Sequence, residues 1–181
     1  DPRREALKQA VSQYLMGRAR WKDCSRPCPP GQQKSPHDPC QCVCHSSAVV
    51  TKDCCPSHRG LARLEVTIVQ ARNLWGDWFT SSDAYVKVFF GKRELRTPVV
   101  WNNNNPKWWT RLDFGDVILA TGGPLRVQVW DADSGWDDDL LGSCDRSPTS
   151  GSHQEMCHMN HGDLTFHYQA KCLPHLTGAT C

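Results

Sequence analysis

Leu125-Arg-Val-Gln-Val-Trp130-Asp131-Ala-Asp133-Ser-Gly-Trp136-Asp137-Asp138-Asp139 decides the reading of this chain. The apolar run Leu125–Trp130 predicts a strand. It ends in five carboxylates within nine residues: Asp131, Asp133, Asp137, Asp138 and Asp139. Like charges at that density repel one another and are tolerable beside a hard cation. A second acidic loop, Asp77 to Asp83, also follows an apolar strand. Trp75, Trp78 and Phe79 flank or occupy it, and Trp136 occupies the other loop. A folded protein normally buries such side chains. Two acidic loops carrying aromatics point to cation binding coupled to membrane contact.

The surrounding sequence is β throughout from Leu61 onward. Leu64, Val66 and Ile68 alternate with polar residues, as in a half-buried strand. Further strands are expected at 84–90, 92–99, 111–114, 125–130 and 163–168, separated by Gly, Asn, Asp or Pro turns. About eight short strands without an intervening helix make an antiparallel β-sandwich, whose loops cluster at two ends. The loops after Leu74, Val100 and Trp130 are expected at one end, so that the acidic segments meet. Upstream, residues 3–20 read as a short helix with Leu7, Val11, Tyr14 and Leu15 at helical spacing. It is expected to dock on a domain outside this chain.

The chain has 181 residues and eleven cysteines. That many cysteines point to a secreted or lumenal chain, and the odd number leaves at least one free or paired elsewhere. No apolar run approaches a membrane-spanning length, and Asp1-Pro-Arg-Arg opens no signal peptide. A disulfide-rich chain without an export signal reads as a piece of a longer protein. Residues 1–59 carry ten Lys and Arg against five Asp and Glu, residues 60–181 eleven against fourteen. Neither balance has the strongly basic face of a nucleic-acid-binding domain, so no nucleic acid partner is expected. Seven cysteines fall between 24 and 55 with almost nothing to build a core, so cross-links must hold that segment together. A zinc cluster of Cys40, Cys42, Cys44 and His45 competes with this, but Cys-x-Cys-x-Cys lacks the usual two-residue ligand spacing. Cys144 and Cys157 bracket a Ser/Pro/Gly-rich segment read as a loop, and Cys172 and Cys181 bracket the end of the chain; pairing within each couple is simplest, and pairing between the couples stays open. No Asn-x-Ser/Thr sequon is present.

Residues 24–55 resemble an epidermal-growth-factor-like module, which implies pairs Cys24–Cys40, Cys28–Cys42 and Cys44–Cys54. Cys55 is then left to bridge to a distant domain. Ala71-Arg-Asn-Leu74, Asp77, Ser82-Asp83-Ala84-Tyr85-Val-Lys87-Val, Asn105-Pro-Lys-Trp108, Trp130-Asp131-Ala-Asp133 and Asp139-Leu-Leu-Gly142 are similar to a C2 domain in order and spacing. One departure is Ala84, where many relatives have proline. A basic cysteine-rich module directly before such a domain resembles the C-terminal part of the perforin-like family of pore-forming proteins. The resemblance implies an all-β chain: a C2-type antiparallel eight-stranded β-sandwich preceded by a short helix and a small disulfide-rich EGF-like module. The divisions expected are 1–22 for a helix of an upstream pore-forming domain and 23–59 for the EGF-like module. The C2 domain takes 60–170 and a disulfide-closed tail 171–181.

The same resemblance assigns calcium ligands to Asp77, Asp83, Asp131, Asp133 and Asp139. Asp137 and Asp138 add oxygens, and Asn102 offers a side-chain carbonyl in a third loop. Trp75, Trp78, Phe79 and Trp136 become membrane anchors, each worth about 1.5–3 kcal/mol on full burial and less at headgroup depth. Bare aspartates would have to be desolvated beside the headgroups, so Ca2+ gates the contact. The loop tips carry no Lys or Arg, which favours a zwitterionic outer leaflet. Lys87, Lys92, Arg93 and Arg96 form a basic stripe that reads as a solvated sheet face. Trp101, Trp108, Trp109 and Trp130 lie in or beside strands, where core or sheet packing is expected.

The implied protein is secreted, stored in acidic cytotoxic granules, forms a homo-oligomer at full length, and reaches its pore-forming domain through Cys55. Acid would weaken calcium binding by protonating the ligands. No enzyme is expected: Gly-x-Ser-x-Gly is missing, and His158 and His161 are placed near a cystine loop away from the acidic ones. The rival is an extracellular adhesion module in which calcium stiffens a protein–protein contact.

Overall fold

The computed structural model describes residues 1–21, 24–29, 32–44, 56, 58–76, 81–133 and 137–181, with backbone alone for 15–21. Two compact units are present, Asp1–Cys55 and Pro56–Cys181.

The first unit opens with α1 (Pro2–Trp21). Leu7, Val11 and Tyr14 all lie exposed on it. No described helix is long and apolar enough to cross a membrane. A two-stranded ribbon follows, β1 (Gln32–Lys34) antiparallel to β2 (Cys42–Cys44). Disulfides Cys24–Cys40 and Cys28–Cys42 tie it to the segment before it. Cys44 is also disulfide-bonded, while Cys54, Cys55 and His45 lie outside the described residues. With their sulfurs in disulfides, Cys40, Cys42 and Cys44 offer no thiolates to zinc.

The second unit is a sandwich of two four-stranded antiparallel sheets. One has the order β6 (Lys107–Ile118), β3 (Leu61–Arg72), β10 (Gly162–Cys172), β9 (Gly151–Met159). The other has β5 (Arg93–Arg96), β4 (Ala84–Phe90), β7 (Leu125–Asp131), β8 (Asp139–Arg146). The fold class read from the sequence holds. Alternation builds the interior: Leu64, Val66 and Ile68 of β3, Val86 and Val88 of β4, and Leu125, Val127 and Val129 of β7 are fully buried. Phe114, Leu164 and Phe166 fill the space between the sheets.

Two expectations need revision, and one pairing is settled. The segment bracketed by Cys144 and Cys157 is mostly strand, because those cysteines lie in β8 and β9 and only 147–150 forms a loop. Their disulfide therefore joins an edge strand of one sheet to an edge strand of the other. Cys172–Cys181 closes the tail, with Cys181 on the core, so each couple pairs within itself. Trp101 and Trp109 do not pack inward: they are 63% and 67% exposed. Trp109 stands at φ 47° beside a register shift between β3 and β6, which turns its side chain out. Trp101 precedes Asn102 at φ 51°, in a turn. Trp108 does pack against the core, and its indole N–H donates to the Pro98 carbonyl.

Candidate functional site

Strand pairing fixes where the acidic residues stand. Ala84, the first residue of β4, pairs with Asp131, the last of β7, and Asp131 pairs in turn with Asp139, the first of β8. Asp83, Asp131 and Asp139 therefore occupy three adjacent strand ends. The Asp83 N–H donates to Asp131 Oδ1 at 2.7 Å, and Ala132 N–H donates to the Asp83 carbonyl at 2.7 Å. Asp83 Oδ1 accepts the Asn102 N–H at 2.7 Å. Asn102 thus contributes its backbone amide to this network.

The asparagine run splints the loops together. Asn104 Oδ1 accepts from Ser82 N–H at 2.8 Å, and Asn105 Oδ1 accepts from Asn73 N–H at 2.9 Å. Main-chain bonds run Leu74 N–H to Asn104 O and Asn103 N–H to Ser82 O, both 2.9 Å. Side-chain acceptors that mimic a turn are what Asn supplies best. Sequence reading gave a site role to Asn102 alone, with Asn105 quoted only within the C2 motif and Asn104 not at all; four consecutive asparagines after a strand were the available signal.

Asp138 holds the acidic loop that follows β7. Its Oδ1 accepts the Asp133 N–H at 3.0 Å and its Oδ2 accepts the Tyr85 hydroxyl at 2.5 Å. The phenol first, then the Asp133 amide, hold this carboxyl below the usual carboxylate range. Burial, reinforced by Asp138, pushes the Tyr85 hydroxyl up to about 12. Asp133, Asp137 and Asp139 are exposed. Asp77, Trp78, Phe79 and Trp136 lie outside the described residues. Among the described residues, no three His, Cys, Asp or Glu side chains close on one metal position. The donor set nonetheless suits a hard cation. It is all carboxylate, its members are oriented in part by backbone amides, and the buried Ser82 hydroxyl beside Asp83 has no partner among the described residues.

Trp75 is 53% exposed at the edge of this centre. Its ring stacks on His161, and the histidine Nδ1 lies 2.7 Å from the Trp75 carbonyl oxygen. The expectation that the histidines stay away from the acidic loops is therefore wrong for His161. The β9–β10 turn folds onto the loop entrance, a contact between residues 86 positions apart that no local pattern announces. His158 instead pairs with Asp163 at 2.8 Å. Three of the four residues of the basic stripe are engaged by the sandwich itself, within their own sheet and, for Arg93, across to the other. Lys87 pairs with Glu94 at 3.7 Å and lies over Trp130, Arg93 donates to the Phe114 carbonyl, and Arg96 lies over Tyr85.

A family model described as C2 domain matches residues 62–160, and one described as Perforin-1-like, EGF domain matches residues 23–57. Perforin-1 of Homo sapiens is 73% identical over 181 residues, covering 100% of this chain and 33% of that protein, so the chain spans a third of the relative's length. A solved structure titled "Structure of a C2 domain" is 32% identical with a TM-score of 0.53, covering 61% of this chain and 98% of that one. A calcium-bound structure of two C2 domains of extended synaptotagmin 2 shares the fold at 20% identity and a TM-score of 0.52, covering 60% of this chain and 45% of that one.

Proposed function

The chain belongs to the C2 domain family, and we propose that its acidic end is a calcium-gated docking surface for a phospholipid bilayer. The observation that carries this is the convergence of Asp83, Asp131 and Asp139 on three adjacent strand ends, with a half-exposed tryptophan beside them. Asp77, Asp83, Asp131, Asp133 and Asp139 hold the metal, and Asp137 strengthens the local potential. Asp138, engaged at both oxygens by the protein, first shapes the loop and then adds what coordination remains. Calcium held there would supply positive charge that cancels loop repulsion and attracts lipid phosphate.

Trp75, Trp78, Phe79 and Trp136 supply apolar contact at headgroup depth, and Trp101 joins them from the neighbouring loop. Such amphipathic rings favour the membrane interface. With no basic residue at the tips, a zwitterionic leaflet is the expected target. The likeness to perforin supports a role for this module within a secreted, granule-stored, pore-forming cytolysin that oligomerises on the target membrane. In that protein it docks and performs no catalysis, and Cys55 links the EGF-like module to the pore-forming part.

Co-sedimentation with phosphatidylcholine liposomes tests the reading. Binding in millimolar calcium, a blue shift of tryptophan emission, and loss of both in Asp131→Ala are expected. Calcium binding without liposome association would replace it with the adhesion reading.

A further inference from the structure

The turn between β9 and β10 is pressed against the entrance of the first acidic loop. Gly162, at φ 134°, leaves no room for a side chain: a Cβ there would sit 2.8 Å from the Arg72 carbonyl oxygen and 2.9 Å from that of Asn73. Next to it, the His161 ring lies over the Trp75 indole, with centroids 4.0 Å apart and planes 17° from parallel. Two hydrogen bonds close the contact. Trp75 N–H donates to the His161 carbonyl at 3.2 Å, and His161 Nδ1 faces the Trp75 carbonyl oxygen at 2.7 Å. A carbonyl only accepts, so an imidazole proton sits on Nδ1. Main chain, side chain and ring all tie His161 to one residue of the loop.

We propose that His161 is a positioning residue of the docking site, fixing residues 73–76 where the chain enters the segment that carries Asp77. This role rests on the calcium-dependent reading above. A loop entrance ordered before the metal arrives has less conformational freedom to lose on binding. Trp75 is held flat by the same contact, so its indole meets a bilayer in a fixed orientation.

The test uses the full chain as wild type, His161→Ala, His161→Phe (ring kept, donor lost) and His161→Asn (donor kept, ring lost). Three readouts are taken without lipid: amide exchange at Trp75, melting temperature, and calcium half-saturation by calorimetry. In His161→Ala, Trp75 exchange without metal should quicken and calcium half-saturation should rise about threefold to tenfold, as for loss of one hydrogen bond and a ring contact. Phe and Asn should fall between wild type and Ala, with melting temperatures near wild type throughout. Unchanged Trp75 exchange in His161→Ala would overturn the clamp. Faster exchange with an unchanged calcium half-point would overturn its link to the site. A wild type that binds no calcium would overturn the docking reading, and this role with it.

Discussion

Gly76 touches the acidic centre through what it lacks. A Cβ built there would lie 2.7 Å from Asp131 Oδ2, closer than atoms pack, so the carboxylate would have to move. Gly76→Ala is expected to raise the calcium needed for half-saturation about tenfold, equivalent to ~1.4 kcal/mol, without a matching fall in melting temperature. Calorimetric calcium titration checks this. The Tyr85–Asp138 pair makes a pH prediction for the metal-free chain. The phenol is raised in the folded state to about 12, against 10.0 unperturbed, so unfolded chains lose that proton first. Its stabilising contribution is complete below about pH 10 and disappears as pH rises towards 12. Tyr85→Phe should flatten stability over that window, measured by denaturant midpoints on either side of it.

At the scale of elements, the two sheets are joined covalently at an edge as well as through their core. Cys144–Cys157 runs from β8 to β9 across a sequence separation of 13, with Cys157 fully buried. Replacing both cysteines by alanine should cost about 2–4 kcal/mol in chemical denaturation; an unchanged midpoint would show that the core alone holds the sheets together. The same strands show what sequence could reveal. Alternation at Leu64, Val66 and Ile68 and the run from Leu125 to Trp130 marked their strands, because a buried face imposes period two. β8 and β9 were not delimited, since Asp, Gly, Ser and Arg in β8 and Ser, His, Gln and Glu in β9 give these edge strands no apolar rhythm. That Asp83, Asp131 and Asp139 would meet was legible because the two acidic loops carrying them follow apolar strands, and strand ends of a sandwich cluster. His161, Asn104 and Asn105 were not, because their roles depend on loops distant in sequence. Trp101 and Trp109 were misjudged because burial was inferred from strand proximity, whereas turned backbone points both outward.

At the scale of the molecule, one end of the sandwich gathers the acidic strand ends, the exposed rings of Trp75 and Trp101, and the β9–β10 turn. The inter-sheet disulfide and the shared core hold the two sheets together. The other unit has its own covalent frame, with two described disulfides around a short ribbon. On the proposed docking, a fixed frame would let several aromatic contacts act together instead of one at a time. The most direct measurement is tryptophan quenching by brominated phosphatidylcholine vesicles, in calcium and in EGTA, for wild type and Asp131→Asn. The account predicts quenching in calcium alone, reduced in Trp75→Ala and lost in Asp131→Asn. Equal quenching in EGTA, or none in calcium, would contradict a calcium-gated contact between these loops and the bilayer.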